Sequence, residues 1–98
     1  MIFDVVISKK ALNDIRKITE YYDKQRDGLG NEFKNVLYEY IEVLETNPNF
    51  RMRYDKIRCL PIKIFPYMIH FSVNENKRIA KIHAILHTSR NPKIWNNR

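Results

Sequence analysis

Three histidines, His70, His83 and His87, lie among eleven lysines and arginines in residues 50–98, and these side chains have the most chemistry to offer. A histidine beside an arginine can move a proton while the guanidinium holds phosphorane charge, which is what cutting a phosphodiester requires. His87 and Arg90 are close enough in the chain to form such a pair. A second group is Arg51-Met52-Arg53-Tyr54-Asp55-Lys56-Ile57-Arg58, where cations alternate with apolar and aromatic residues. Such a strip suits phosphate contact with base stacking, and equally suits an edge strand protected from aggregation by charge. Lys81 and His83 extend the basic surface. Trp95, in the tail, either packs back on the core or forms a wall of the groove beneath Arg90.

Other chemistries are disfavoured. His83 and His87 are four residues apart in an apparent strand, about 13 Å, too far for two ligands of one metal ion. No metal and no cofactor are expected. The second half has only Asp55 and Glu75 as carboxylates, which argues against a two-carboxylate or two-metal hydrolase. Two glycines in the whole chain rule out a glycine-rich phosphate loop. Cys59 is the single cysteine, so no intrachain disulfide forms and a reducing cytoplasm is the natural compartment. It sits mid-strand among apolar neighbours and reads as buried and inert. No leader segment is expected from Met1–Ser8, and no apolar run of about 18 residues that would span a membrane occurs in the sequence.

The charges divide unevenly along the chain. Residues 1–49 carry 7 Lys/Arg against 9 Asp/Glu, a balance of −2, and residues 50–98 carry 11 against 2, a balance of +9. Concentrated positive charge steers and holds polyanions or acidic protein surfaces. At 44% hydrophobic and 30% charged residues, the composition is that of a folded protein. Ninety-eight residues make one domain, 1–98, with a modest core.

The elements that must position these residues follow from periodicity. Ile2 to Ile7 reads as a short strand, and Ser8 as the N-cap of a helix. That helix has a face of Ala11, Leu12, Ile15, Ile18, Thr19 and Tyr22. Gly28 and Gly30 end it, and Asn31 caps a second helix with Phe33, Val36, Leu37, Tyr40, Ile41 and Leu44 on its face. Asn47-Pro48-Asn49 stops the second helix, and the short link makes the two an antiparallel hairpin. The period then changes to two. Arg53–Leu60 reads as one strand, Lys63–Val73 as a second bent near Pro66, and Ile79–His87 as a third after the Asn74-Glu75-Asn76-Lys77 turn. Tyr67, Ile69, Phe71 and Val73 should pack inward, with Met68, His70 and Ser72 facing out. On the third strand Ala80, Ile82, Ala84 and Leu86 form the apolar face, with Lys81, His83, Ile85 and His87 opposite. The expected fold is α+β: a strand, an antiparallel helix hairpin, then a three-stranded antiparallel meander. The helices cover one sheet face and leave the basic residues and histidines on the other.

The order of pieces resembles the RelE/ParE superfamily of bacterial type II toxins over the whole chain. The resemblance lies in Ser8, Ala11-Leu12 and Tyr21-Tyr22, in the Phe33…Leu37…Ile41…Leu44 face with Asn47-Pro48, and in Ile57-Arg58-Cys59-Leu60. It continues through Phe65-Pro66-Tyr67-Met68-Ile69 and His83-Ala84-Ile85-Leu86-His87-Thr88-Ser89-Arg90-Asn91-Pro92 to Trp95. It implies a small cytoplasmic toxin neutralised by a cognate antitoxin protein, with a homodimer or a toxin–antitoxin heterotetramer as compatible assemblies. RelE-like members cut mRNA on the ribosome with Lys/Arg clusters and often a C-terminal Tyr or His. ParE-like members poison DNA gyrase and have no agreed catalytic residues.

Phe65-Pro66-Tyr67 stands where the nucleases usually place an arginine, and Trp95 where a tyrosine is common. The pattern therefore leans to ParE-like action on gyrase. The alternatives are a RelE-like ribosome-dependent endoribonuclease and a degenerate, non-toxic member or basic RNA-binding module. Whether the chain is an enzyme depends on which holds. In the nuclease case His87 and Arg90 would be catalytic. Arg51, Arg53, Lys56, Arg58, Lys81, His83, Arg90 and Trp95 are the expected target- or nucleic-acid-binding residues. Reversing the charge at Arg53 and Arg58 is expected to slow association with an acidic antitoxin segment and to flatten its salt dependence in stopped-flow measurements. An on-rate that ignores salt in the unmodified chain would refute steering.

Overall fold

The computed structural model describes residues 2–48, 52–54 and 56–89. In chain order the elements are β1 (Asp4–Ile7), α1 (Lys9–Gln25), α2 (Leu29–Thr46), β2 (Met52–Tyr54), β3 (Ile57–Pro61), β4 (Tyr67–Asn74) and β5 (Ile79–His87). The strands form one sheet in the order β1-β5-β4-β3-β2. β1 runs parallel to β5, and the remaining pairs are antiparallel. The α+β arrangement expected from the sequence is present, with β3, β4 and β5 as the meander.

Helix α1 starts where Ser8 was expected to cap it. The Ser8 hydroxyl accepts the Ala11 N–H at 3.1 Å and is itself 3.2 Å from the His83 carbonyl, to which it donates. Ala11, Ile15 and Ile18 form the buried stripe of α1; Phe33, Leu37, Ile41 and Leu44 form that of α2. Both meet Leu60, Ile69, Phe71, Ile82 and Ile85 on one sheet face. At one end Tyr22, Phe33, Phe65 and Tyr67 form an aromatic cluster with centroids 5.1–6.4 Å apart, mostly edge to face, the arrangement the ring quadrupoles favour.

The helix link differs from the expectation. Gly28, at φ 87°, is the residue before α2, and Gly30 lies inside its first turn. Asn31 does not cap. The Asp23 carboxylate reaches across from α1 and accepts the Gly30 N–H at 2.8 Å, serving as the cap that Asn31 was expected to provide. Gly30 is required by proximity. A Cβ there would lie 2.7 Å from the Thr19 backbone carbonyl, the Thr19 Cγ2 and an Asp23 oxygen.

The sheet also departs from the simple alternation. Arg53–Leu60 is divided into β2 and β3, which pair antiparallel with an irregular register between Met52 and Tyr54. β4 begins at Tyr67, because 63–66 make a bend in which Ile64 takes φ 75° while Phe65 turns into the aromatic cluster. A β-branched residue there is strained, and Ile64 is 79% exposed.

The largest departure is in β5. His70 pairs with Ala84 and Phe71 with Ile82, so His83 is an extra residue, a β-bulge. Before the bulge Ala80 and Ile82 are buried and Ile82 meets the helices; after it Ile85 does, while Ala84 and Leu86 join Cys59 and Met68 in a second cluster on the far face. The predicted single face Ala80-Ile82-Ala84-Leu86 therefore switches sides halfway. The far face is not left free either. Met68 is buried, and His70 has no exposed surface, its Nδ1 lying 3.4 Å from the Cys59 Sγ.

Gly30→Ala is expected to destabilise the fold by about 1–3 kcal/mol, because the clash is with backbone and the helices must part. Gly28→Ala, which meets no atom within 4 Å, should cost only the left-handed strain of about 1–2 kcal/mol. Urea midpoints compared at constant m-value would check the order.

Candidate functional site

The bulge separates the two histidines that simple alternation put on one face. Ser72 points away from the helices, since its neighbours Phe71 and Val73 pack under them. The His83 Nε2 is 2.6 Å from the Ser72 Oγ, which places His83 on the far face, where Lys81 is its neighbour. Burial, and secondarily the Lys81 charge, hold the His83 pKa below its ordinary value. Ion binding at a neutral imidazole already engaged by a hydroxyl is disfavoured, so His83 reads as part of the bulge.

Arg58 is likewise structural. Its cross-strand partner Phe71 faces the helices. The guanidinium donates to the Pro48 carbonyl at 2.9 Å, just beyond the C-terminus of α2, where a cation complements the helix dipole. Lys56 is exposed in the turn before β3, and Lys81 is exposed on β5. Arg53 lies on β2. Arg51, Arg90 and Trp95 lie outside the described residues. Among the described residues, then, the structure does not bring the expected basic set onto one surface: Arg58 faces the helices and meets the end of α2, His87 faces them beside α1, and Lys81 and His83 face away.

His87 instead enters a cleft that the sequence reading did not assemble. The cleft, of about 360 Å³, is lined by Lys10, Asp14, Lys17 and Ile18 of α1 and by Tyr67, Ile85, Leu86 and His87 of the sheet. Tyr67 and His87 are register partners with ring centroids 5.3 Å apart, edge to face. Burial, and secondarily Tyr21, raise the Tyr67 pKa, so its phenol remains protonated as a donor. The Ser89 N–H donates to the His87 Nδ1 at 3.1 Å, and the Ser89 Oγ is 2.8 Å from the same nitrogen. A backbone N–H can only donate, so Nδ1 of the neutral ring is the acceptor and Nε2 carries the proton. In that tautomer Nε2 offers a hydrogen bond to an anion and has no lone pair with which to take a proton.

Asp14 holds the cleft in shape. One carboxylate oxygen meets the Lys10 Nζ at 3.3 Å and the other accepts the Ile85 N–H at 3.1 Å. The latter bond satisfies a strand donor beyond the point where β1 ends. The signal for this site was in the sequence as Lys10, Asp14 and Lys17, at i, i+4 and i+7 on one helix stripe. It was hidden because the stripe borders the apolar face and gains meaning only when β5 is laid beside it. Among the described residues there is no group of three or more His, Cys, Asp or Glu that could hold a metal ion, and no helix long and apolar enough to cross a membrane.

Residues 5–92 match the family model described as the ParE toxin of type II toxin–antitoxin system, parDE. The chain belongs to the ParE toxin family. Among solved structures, this ParE-family chain is similar to the chromosomal ParDE toxin–antitoxin system of P. aeruginosa: TM-score 0.79 at 16% identity, over 90% of this chain and 98% of that one. It is also similar to the archaeal RelE–RelB complex of Pyrococcus horikoshii OT3, with TM-score 0.58 at 18% identity over 93% and 100% of the two chains. The intact E. coli RelBE complex gives 0.56 at 15% identity over 90% and 99%. A comparison with curated proteins finds no match.

The His83 imidazole is expected to titrate with a midpoint below about 6.5, the ordinary histidine value. As pH falls below that value the unfolded chain binds a proton before the folded one does, so His83 lowers folding stability progressively toward its folded midpoint. Lys81→Ala should move the midpoint up. Ring-proton chemical shifts against pH would check both, and a midpoint at or above 6.5 in the unmodified chain would contradict the burial argument.

Proposed function

We propose that this ParE-family toxin acts as its family relatives are expected to, by binding DNA gyrase and trapping cleaved DNA, with a cognate antitoxin holding it in check. The observation that carries this reading is the ParE family match over residues 5–92. It is supported by the stronger structural likeness to the ParDE system than to the RelE complexes. The antitoxin partner is supported by the same neighbours, each a toxin–antitoxin system or complex by its own description. The His87 tautomer agrees with a binding role, because a histidine fixed as an Nε2–H donor is poorly prepared to act as general base.

A ribosome-dependent endoribonuclease is the second reading. The observation that favours it is the cleft, where a histidine, two lysines and a tyrosine converge. In that case the lysines and the His87 Nε2–H would offset phosphorane charge. Cytoplasmic action belongs to both readings.

Induced expression in a bacterial host, with plasmid topology and mRNA 5′ ends mapped from the same cells, separates the two. The expected result is cleaved gyrase–DNA complexes with intact transcripts. Codon-phased mRNA cuts with normal topology would overturn the gyrase reading. Cuts lost in His87→Ala would then place His87 in catalysis. Normal growth with neither effect would mark the chain as non-toxic.

A further inference from the structure

We infer that the cleft between α1 and the ends of β4 and β5 grips the phosphodiester backbone of a single-stranded nucleic acid. Lys10 and Lys17 are two helical turns apart on the same side of α1, about 10.5 Å along its axis. Two ammonium groups that far apart meet different phosphates of one strand, so each can neutralise its own. Lys17 is exposed and makes no ion pair among the described residues. Lys10 pairs with Asp14, the one acid of the cleft lining, so that charge is offset and Lys17 leaves the cleft net positive.

Three further features point to the same ligand. The first turn of α1 carries Lys9 and Lys10 and no acid, although the positive end of the helix dipole lies there. Two cations at that pole repel it and each other, and an anion relieves both. The His87 Nε2–H is the donor its ring has left to offer once Nδ1 is held by Ser89. Tyr67 and His87 stand edge to face at the rim, so the face of one ring is what a base can stack on, a contact that every base can make. An acidic peptide would meet the lysines but would leave that aromatic rim without a planar partner. The volume of about 360 Å³ lies within the range of small-ligand clefts. The inference stands on the cleft alone and adds to the gyrase reading a direct contact between toxin and strand.

Fluorescence anisotropy of the purified full chain with labelled oligothymidylate and oligouridylate of about a dozen nucleotides, over a salt series, tests it. The unmodified chain should bind with a negative log–log salt slope. Lys17→Ala should reduce the magnitude of the slope by about 0.7, and Lys10→Ala with Lys17→Ala by about 1.4, the value per phosphate contact for single strands. Both lysines are exposed, so the circular dichroism spectrum should stay unchanged. Lys77→Ala, in the turn at the opposite end of β4 and β5, removes one charge and should leave the slope as it was. Tighter binding of thymidylate would identify DNA as the natural strand and tighter binding of uridylate would identify RNA; either supports the site. Unchanged slopes in the cleft variants, an equal loss in Lys77→Ala, or binding to polyglutamate with none to either oligonucleotide would overturn it. A gyrase poisoning assay run in parallel keeps the questions apart, because poisoning without oligonucleotide binding removes this inference and leaves the gyrase reading in place.

Discussion

The seam between α1 and β5 is the constraint on which the candidate site depends. β1 pairs with β5 only as far as Ile82, and beyond it the outer edge of β5 has backbone groups without a strand beside them. Burying such a donor unpaired would cost about 1–3 kcal/mol. The chain resolves this with the helix that follows β1. The Ser8 N–H donates to the Ile82 carbonyl, the Ser8 hydroxyl to the His83 carbonyl, and the Asp14 carboxylate accepts the Ile85 N–H. Two polar side chains, the cap residue of α1 and Asp14 within it, thus continue the role of a strand edge. Because these bonds fix α1 against β5, they also set Lys10 and Lys17 opposite His87.

The bulge at His83 is part of the same solution. An extra residue reverses which side chains face the helices. It allows Ile82 and Ile85 both to enter the helix-side core, and it sends Ala84 and Leu86 to the far face with Cys59 and Met68. Without it His83 and His87 would share a face. With it, one is tied to Ser72 beneath the sheet and the other opens into the α1 cleft. Among the described residues the cations of the second half are accordingly spread over different surfaces, and cations of the first half supply the cleft.

Much of the architecture was legible before folding. The helix faces (apart from Leu12, expected on the α1 face but 50% exposed), the Ser8 cap, the stop at Asn47-Pro48 and the hairpin after Asn74 rest on interactions between residues near in sequence, and periodicity reports those directly. Asn31 and Gly30 were misread because their roles depend on the other helix: Asp23 provides the cap, and the closeness of Thr19 requires the glycine. Arg58 was read as a surface cation, yet its bond to the Pro48 carbonyl is with a residue ten positions away, at the end of α2.

The sequence by itself determined the fold class and the toxin-like order of elements. Those follow from local pattern and residue type, which need no third dimension. Only the tertiary structure decided which side of the sheet each histidine faces and which lysines accompany it. A single inserted residue in a strand inverts every side chain beyond it, and nothing in the composition of Lys81-Ile82-His83-Ala84-Ile85 marks where the insertion falls. Lys10, Asp14 and Lys17 of α1, which line the cleft with His87, lie 70 and more positions earlier in the chain, and they come beside it because the open edge of β5 must be closed by α1.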